Sequence, residues 1–180
     1  MPLKSSFCYS VALATVATAT LAPVASAATF NFSYTSSAGT ITATVDGTLQ
    51  PDNNTVFVSS ISNTTFNGSP APALPFVGSF DASNLSGSVT GQAVLSLDGS
   101  GLDFIACNTT DCGGADAFAF LPPGLFAAEV FIASPAYGAS FELFVLANYS
   151  LTTVPEPATV LGLLSVAGVG LLCKRRKLEK

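Results

Sequence analysis

Apolar and polar positions alternate with a period of two through most of the middle of this chain. Phe30, Phe32 and Tyr34 fall on one face, and Ile41, Ala43 and Val45 oppose Thr40, Thr42 and Thr44. Val89, Gly91, Ala93, Leu95 and Leu97 keep the same period. So do Phe118 with Phe120, and the run Phe141, Leu143, Val145, Ala147, Tyr149 and Leu151. Such alternation is the mark of strands with one buried face. Turn-forming clusters lie between these runs, at 51–54 (PDNN), 67–68 (NG), 98–101 (DGSG), 122–124 (PPG) and 134–135 (SP). Residues 69–75 (SPAPALP) read as an irregular loop within the same domain. No stretch shows a 3.6-residue apolar period. The pattern predicts an all-β fold, an antiparallel β-sandwich of jelly-roll-like kind.

The two ends break the alternation with continuous apolar runs. At the N-terminus Lys4 precedes an apolar Ala/Thr-rich stretch from Val11 to Leu21, and Ala25-Ser26-Ala27 follows as a small-x-small cleavage site. Residues 1–27 therefore read as a signal peptide, with Ala28 the first mature residue. At the C-terminus Pro155, Glu156 and Pro157 form an extended segment that a helix cannot absorb from its N-terminal side. Residues 158–173 carry no charge, and as a helix they reach ~24 Å, somewhat short of a ~30 Å hydrocarbon core. Lys174 and Arg175 make up part of the difference by snorkelling. The basic stop Lys174, Arg175, Arg176 and Lys177 predicts a cytoplasmic C-terminus, with the body of the protein outside.

This ending, a Pro-Glu-Pro motif followed by one membrane helix and a basic tail, resembles the PEP-CTERM sorting signal of Gram-negative-type bacteria. The resemblance is confined to residues 155–180, apart from the Val154 that precedes the motif. It implies an exosortase-type membrane transpeptidase as partner, which acts near Pro155, Glu156 and Pro157 and supplies the nucleophile. It also implies display at the cell surface or release, often beside exopolysaccharide or biofilm matrix. It implies nothing about the fold or chemistry of the exported part.

Charge narrows that chemistry. The predicted domain, 28–154, holds nine acidic residues and no Lys or Arg, a net charge of −9, and the whole chain has no His and no Trp. Nothing in the domain neutralises phosphates, so nucleic acid is excluded as a partner. Anionic polysaccharide is repelled unless divalent cations bridge it. Neutral exopolysaccharide and matrix proteins stay open as partners. Catalysis that requires His, Ser-His-Asp or Cys-His is excluded, and no catalytic residue is expected.

Three groups of side chains carry the remaining candidate chemistry. Cys107 and Cys112 close a short ring in an oxidising compartment and predict a disulfide; with no His to complete a ligand set, a metal site is not expected. The turns Asp98–Asp103 and Asp111–Asp116 offer oxygens of the kind Ca²⁺ takes, but neither matches an EF-hand, so they read as plain turns and no cofactor is expected. Glu129 and Glu142 could in principle form a glycosidase pair, or be two solvent-facing strand positions, with Glu142 opposite an inward Phe141/Leu143 face. Tyr34, Tyr137 and Tyr149 are the domain's only tyrosines. On an exposed face they would favour a carbohydrate-binding module, and in the core a structural protein. The expectation is an exported, non-enzymatic surface or matrix protein, with a carbohydrate-binding module and then a carboxylate-dependent hydrolase as alternatives.

Overall fold

The computed structural model describes residues 25–113, 116–124 and 127–155. The described part is mostly β, with one short α-helix and two 3-10 turns, and its strands form two antiparallel sheets. In the first sheet β11 (Tyr149–Thr153), β1 (Ser26–Ser36), β2 (Gly39–Leu49), β3 (Thr55–Phe66) and the two-residue β4 (Ser69–Pro70) lie side by side, and β6 (Ala93–Ser96) pairs with β3. The second sheet runs β10 (Phe141–Leu143), β9 (Val130–Ala133), β8 (Ala117–Leu121), β7 (Phe104–Cys107) and β5 (Phe76–Gly78). Most neighbours are consecutive in sequence, which short turns allow. Each of the five turn clusters joins two strands.

The Asn67-Gly68 turn shows why its residues are needed. Both have positive φ, 51° and 77°, as a tight type I′ hairpin between β3 and β4 requires. The Asn67 side chain adds an acceptor for the Thr40 N–H at 2.9 Å, tying the turn to β2.

Alternation in β1 and β2 places Phe30, Phe32, Tyr34, Ile41 and Val45 in the core, each at most 3% exposed. They meet inward side chains of the second sheet. Phe32 stacks on Phe118 at 5.7 Å, and Tyr34 meets Phe120 edge-on at 5.3 Å. The two sheets thus share one aromatic core, and such offset and edge-to-face pairs add to simple burial. A smaller cluster, Ala119, Leu121 and Val130, lies on the other side of the second sheet, with Phe80 packed against it.

The structure departs from the sequence pattern in three places. Val89 and Gly91 lie outside the strand, which begins at Ala93. Ahead of them is a helix absent from the periodicity, α1 (Phe80–Ser86), with Ser79 accepting the Ala82 N–H as its N-cap and Gly87 closing it in the left-handed region. The run 141–151 is not one strand. It breaks after Leu143 and makes a 3-10 turn at Leu146–Asn148, so that β10 belongs to one sheet and β11 to the other. Finally, Phe141 and Leu143 are each 64% exposed. Glu142, paired across from the buried Phe131, takes the core-facing side. β10 is an edge strand of three residues, so a carboxylate on its inner side still reaches the margin of the sheet.

Candidate functional site

The place where the chain enters and leaves the compact unit Ala25–Val154 is set by β1 and β11. These strands pair antiparallel, with Phe30 opposite Thr153 and Tyr34 opposite Tyr149. The Val154 N–H donates to the Thr29 carbonyl at 2.8 Å, just before Pro155. The two ends of the unit therefore emerge together at one end of the first sheet. Pro155 is exposed and has no N–H to extend the ladder. Glu156, Pro157, residues 158–173 and the basic stop Lys174, Arg175, Arg176 and Lys177 lie outside the described residues, as do Lys4 and the apolar run 11–21. Among the described residues no helix is long and apolar enough to cross a membrane.

Residues 153–177 match the family model of the PEP-CTERM protein-sorting motif. The chain carries a PEP-CTERM sorting motif. No curated protein and no solved structure matches the chain. The PEP-CTERM match points to an exported precursor that associates with the membrane and is processed by an exosortase. Its first residue, Thr153, is also the last residue of β11. The motif thus starts where the fold stops. At the other terminus Ala25 and Ala27 are exposed, and Ala27 sits near the start of β1, opposite Thr48. Cleavage after Ala27 would take only Ser26 and Ala27 from the strand and leave Ala28, the first residue that packs on the core.

The other candidate residues lie within the compact unit. Cys107 and Cys112 form a disulfide, with 5.4 Å between Cα atoms, at the end of β7. The candidate calcium turns use their carboxylates internally. Asp98 Oδ1 accepts from the Ser100 N–H, the Ser100 hydroxyl and the Asn54 amide. Asp103 accepts from the Ser79 hydroxyl and the Asp81 N–H, holding the start of α1. Asp111 accepts from Gly113 and Thr109, and Asp116 from Asn108. Among the described residues no three His, Cys, Asp or Glu side chains come together as metal ligands. These bonds hold the Asp98 carboxyl down at about 2, with the Ser100 hydroxyl the largest cause. Asp52 is lowered in the same way, first by the Thr55 hydroxyl.

Glu129 and Glu142 share a hairpin. The Phe144 N–H donates to the Glu129 carbonyl at 3.0 Å, and Glu142 pairs across from Phe131. Both side chains therefore leave the same side of the hairpin, two positions apart. Burial pushes the Glu129 carboxyl up. Glu142 Oε2 accepts the Ser37 N–H at 3.0 Å, fastening the β1–β2 turn to the edge of the second sheet. The three tyrosines turn inward. Tyr34 and Tyr137 are fully buried, and the Tyr149 hydroxyl donates to the Ser96 carbonyl at 2.8 Å. Tyr149 also packs edge-on against Phe32, and burial raises its pKa.

Proposed function

We propose that this chain is the precursor of a non-enzymatic structural protein of the bacterial cell surface or extracellular matrix. In this reading a signal peptide, 1–27, exports it, and the helix 158–173 holds it in the membrane with Lys180 on the cytoplasmic side. An exosortase then cuts near Pro155, Glu156 and Pro157 and frees a β-sandwich domain, 28–154. The observation that carries the reading is the seam between fold and signal: the PEP-CTERM match begins at the last strand residue, and Pro155 stands exposed beyond the last ladder bond. A transpeptidase needs its substrate extended and unpaired, and Pro155, which has no N–H to donate, stands where the ladder ends.

Two further observations support a structural role for the domain. The carboxylates of Asp46, Asp52, Asp98, Asp103, Asp111 and Asp116 serve turns, the helix start and side-chain bridges. Tyr34 and Tyr137 are buried in the core and Tyr149 packs against it, so none offers a stacking platform for sugar rings.

The test is replacement of Glu156 by Ala in a host that contains an exosortase. The wild-type protein should yield a mature form ending near Pro157 by intact mass, while the variant stays membrane-bound at precursor mass. Unchanged processing of the variant would reduce the tail to a simple anchor. Glycan turnover lost in both Glu129→Gln and Glu142→Gln would replace the structural role with a hydrolase.

A further inference from the structure

Over β11, β1 and the adjoining parts of β2 and β3, the outer face of the first sheet is a lattice of hydroxyl and amide side chains, while Phe57 stands exposed farther along β3. Strand register sets these in rows across the sheet. Ser150, Ser33, Thr42 and Thr65 form one row, and Thr152, Asn31 and Thr44 the next. Register shifts along β3 insert extra residues opposite β2, and at one of them Asn63 adopts a left-handed conformation, with φ 51°. Such a bulge re-aims a side chain. The Asn63 amide here donates to the Thr44 hydroxyl at 3.2 Å, extending the second row. Between the rows lies an open groove of about 320 Å³, walled by Asn31, Ser33, Thr44, Asn63, Ser150 and Thr152.

The lining selects a ligand by exclusion and by fit. No titratable group lines the groove. The nearby Asp46 is engaged by the Thr29 and Ser60 hydroxyls at 2.8 and 3.2 Å. An anionic polymer finds no cation, because the compact unit contains no Lys or Arg. A cationic ligand finds no anion in the groove, and an apolar one would strand its hydroxyls without water. Hydroxyls and amides each donate and accept, which is what a neutral sugar polymer presents in return. The rows repeat along each strand at about 7 Å and across strands at about 4.8 Å, a spacing on the scale of single sugar rings. The volume is near the lower end of ligand sites, ~300 Å³, enough for a short stretch of polymer.

We propose that this groove binds a neutral polysaccharide, with Asn31 and Asn63 supplying the principal hydrogen bonds from opposite sides. The proposal deepens the matrix reading by naming the matrix chemistry, and rests on that reading for where the polymer is met. The one aromatic residue among the groove's lining, Phe32, has its ring in the core, so attachment is by many weak contacts along a chain, not by one tight oligosaccharide pocket.

The experiment is affinity electrophoresis of the protein purified from an exporting host, in gels containing dextran, galactomannan, hydroxyethylcellulose or alginate, all with EDTA. At least one neutral polymer should retard the protein, and alginate should not. The double variant Asn31→Ala/Asn63→Ala should weaken retardation on the order of tenfold, which is ~1.4 kcal/mol shared between two hydrogen-bonding side chains. Thr44→Arg, which fills the groove, should do the same if the double variant folds poorly. Leu85→Ala, on the exposed helix α1, should leave retardation unchanged. Absence of retardation by every neutral polymer, retardation by alginate instead, or equal retardation of both groove variants would overturn the proposal. Processing of Glu156→Ala is read separately by mass, so failure of the sorting reading and failure of the groove remain distinguishable.

Discussion

Single side chains in this domain act through packing or through local turn bonds, and the two respond to different perturbations. Phe120 is 1% exposed and lies within 6.5 Å of the rings of Tyr34, Phe104, Phe118 and Phe131. Phe120→Ala should cost about 3–5 kcal/mol in denaturant unfolding, because its neighbours are anchored on both sheets and close the cavity poorly. A loss below ~1 kcal/mol would show that the two sheets do not share a core. Asp98 responds to pH instead. Its folded-state carboxyl lies at about 2 against an ordinary 3.8. A depressed carboxylate contributes stability that is complete above the unfolded value and lost as pH falls through the folded one. Glu129 has the opposite sign: raised by burial, it contributes below its unfolded value and loses that as pH rises. Thermal melts from pH 5 to pH 2 should therefore show an acid loss in the wild type that is shallower in Asp98→Asn. Parallel profiles would remove Asp98 from the account.

At the scale of elements, the parts that sequence patterning displays are those with one buried face. From Phe30 onward β1 alternates, as does the middle of β2, and the inward positions Phe30, Phe32, Tyr34, Ile41, Ala43 and Val45 are legible in the sequence. The less legible elements each have a physical reason. α1 is a seven-residue helix of mostly small and polar residues, too short to show a 3.6 period. Its signals were the cap residues, Ser79 before it and Gly87 after it. β10 and β11 read as one strand because a crossover between sheets preserves alternation while changing which face is buried. The shifts in β3, where Asn63 is presented to the groove, follow from pairing with β2 and leave no mark on a single strand's pattern. The disulfide is an element-scale constraint, closing a loop at the end of β7. Cys107→Ser/Cys112→Ser should lose about 2 kcal/mol of stability in non-reducing buffer, by loop entropy. Dithiothreitol should then change the midpoint of the wild type only.

For the whole molecule, the distribution of charge governs behaviour. The span 28–154 offers trypsin no site, since it holds no Lys or Arg. Mature protein should therefore resist trypsin even when unfolded and reduced, while the precursor loses only its basic tail and N-terminal residues. Internal tryptic peptides from 28–154 in a mass spectrum would contradict this. The same absence leaves nine acids without an ion-pair partner inside the domain. Turn and cap bonds that accept from N–H and hydroxyl groups replace salt bridges as the means of holding carboxylates in place. Surface ion pairs contribute little in most proteins, so a fold built without them sacrifices little stability.

The sequence by itself determined the sorting motif and the β class. A sorting motif is read by a partner as a linear string of Pro155, Glu156, Pro157, an apolar run and a basic stop, so its information is local and survives without any fold. Strand character in the domain is likewise local, since period two is a property of each strand. The tertiary structure alone decided which alternating positions meet across the core, that Phe141 and Leu143 turn outward while Glu142 turns in, and that the ends at Thr29 and Val154 lie side by side. It alone assembled Asn31, Thr44, Asn63 and Thr152 into one groove. Those facts depend on register between strands distant in sequence, and register is set by the joint burial of both sheets, which no single strand encodes.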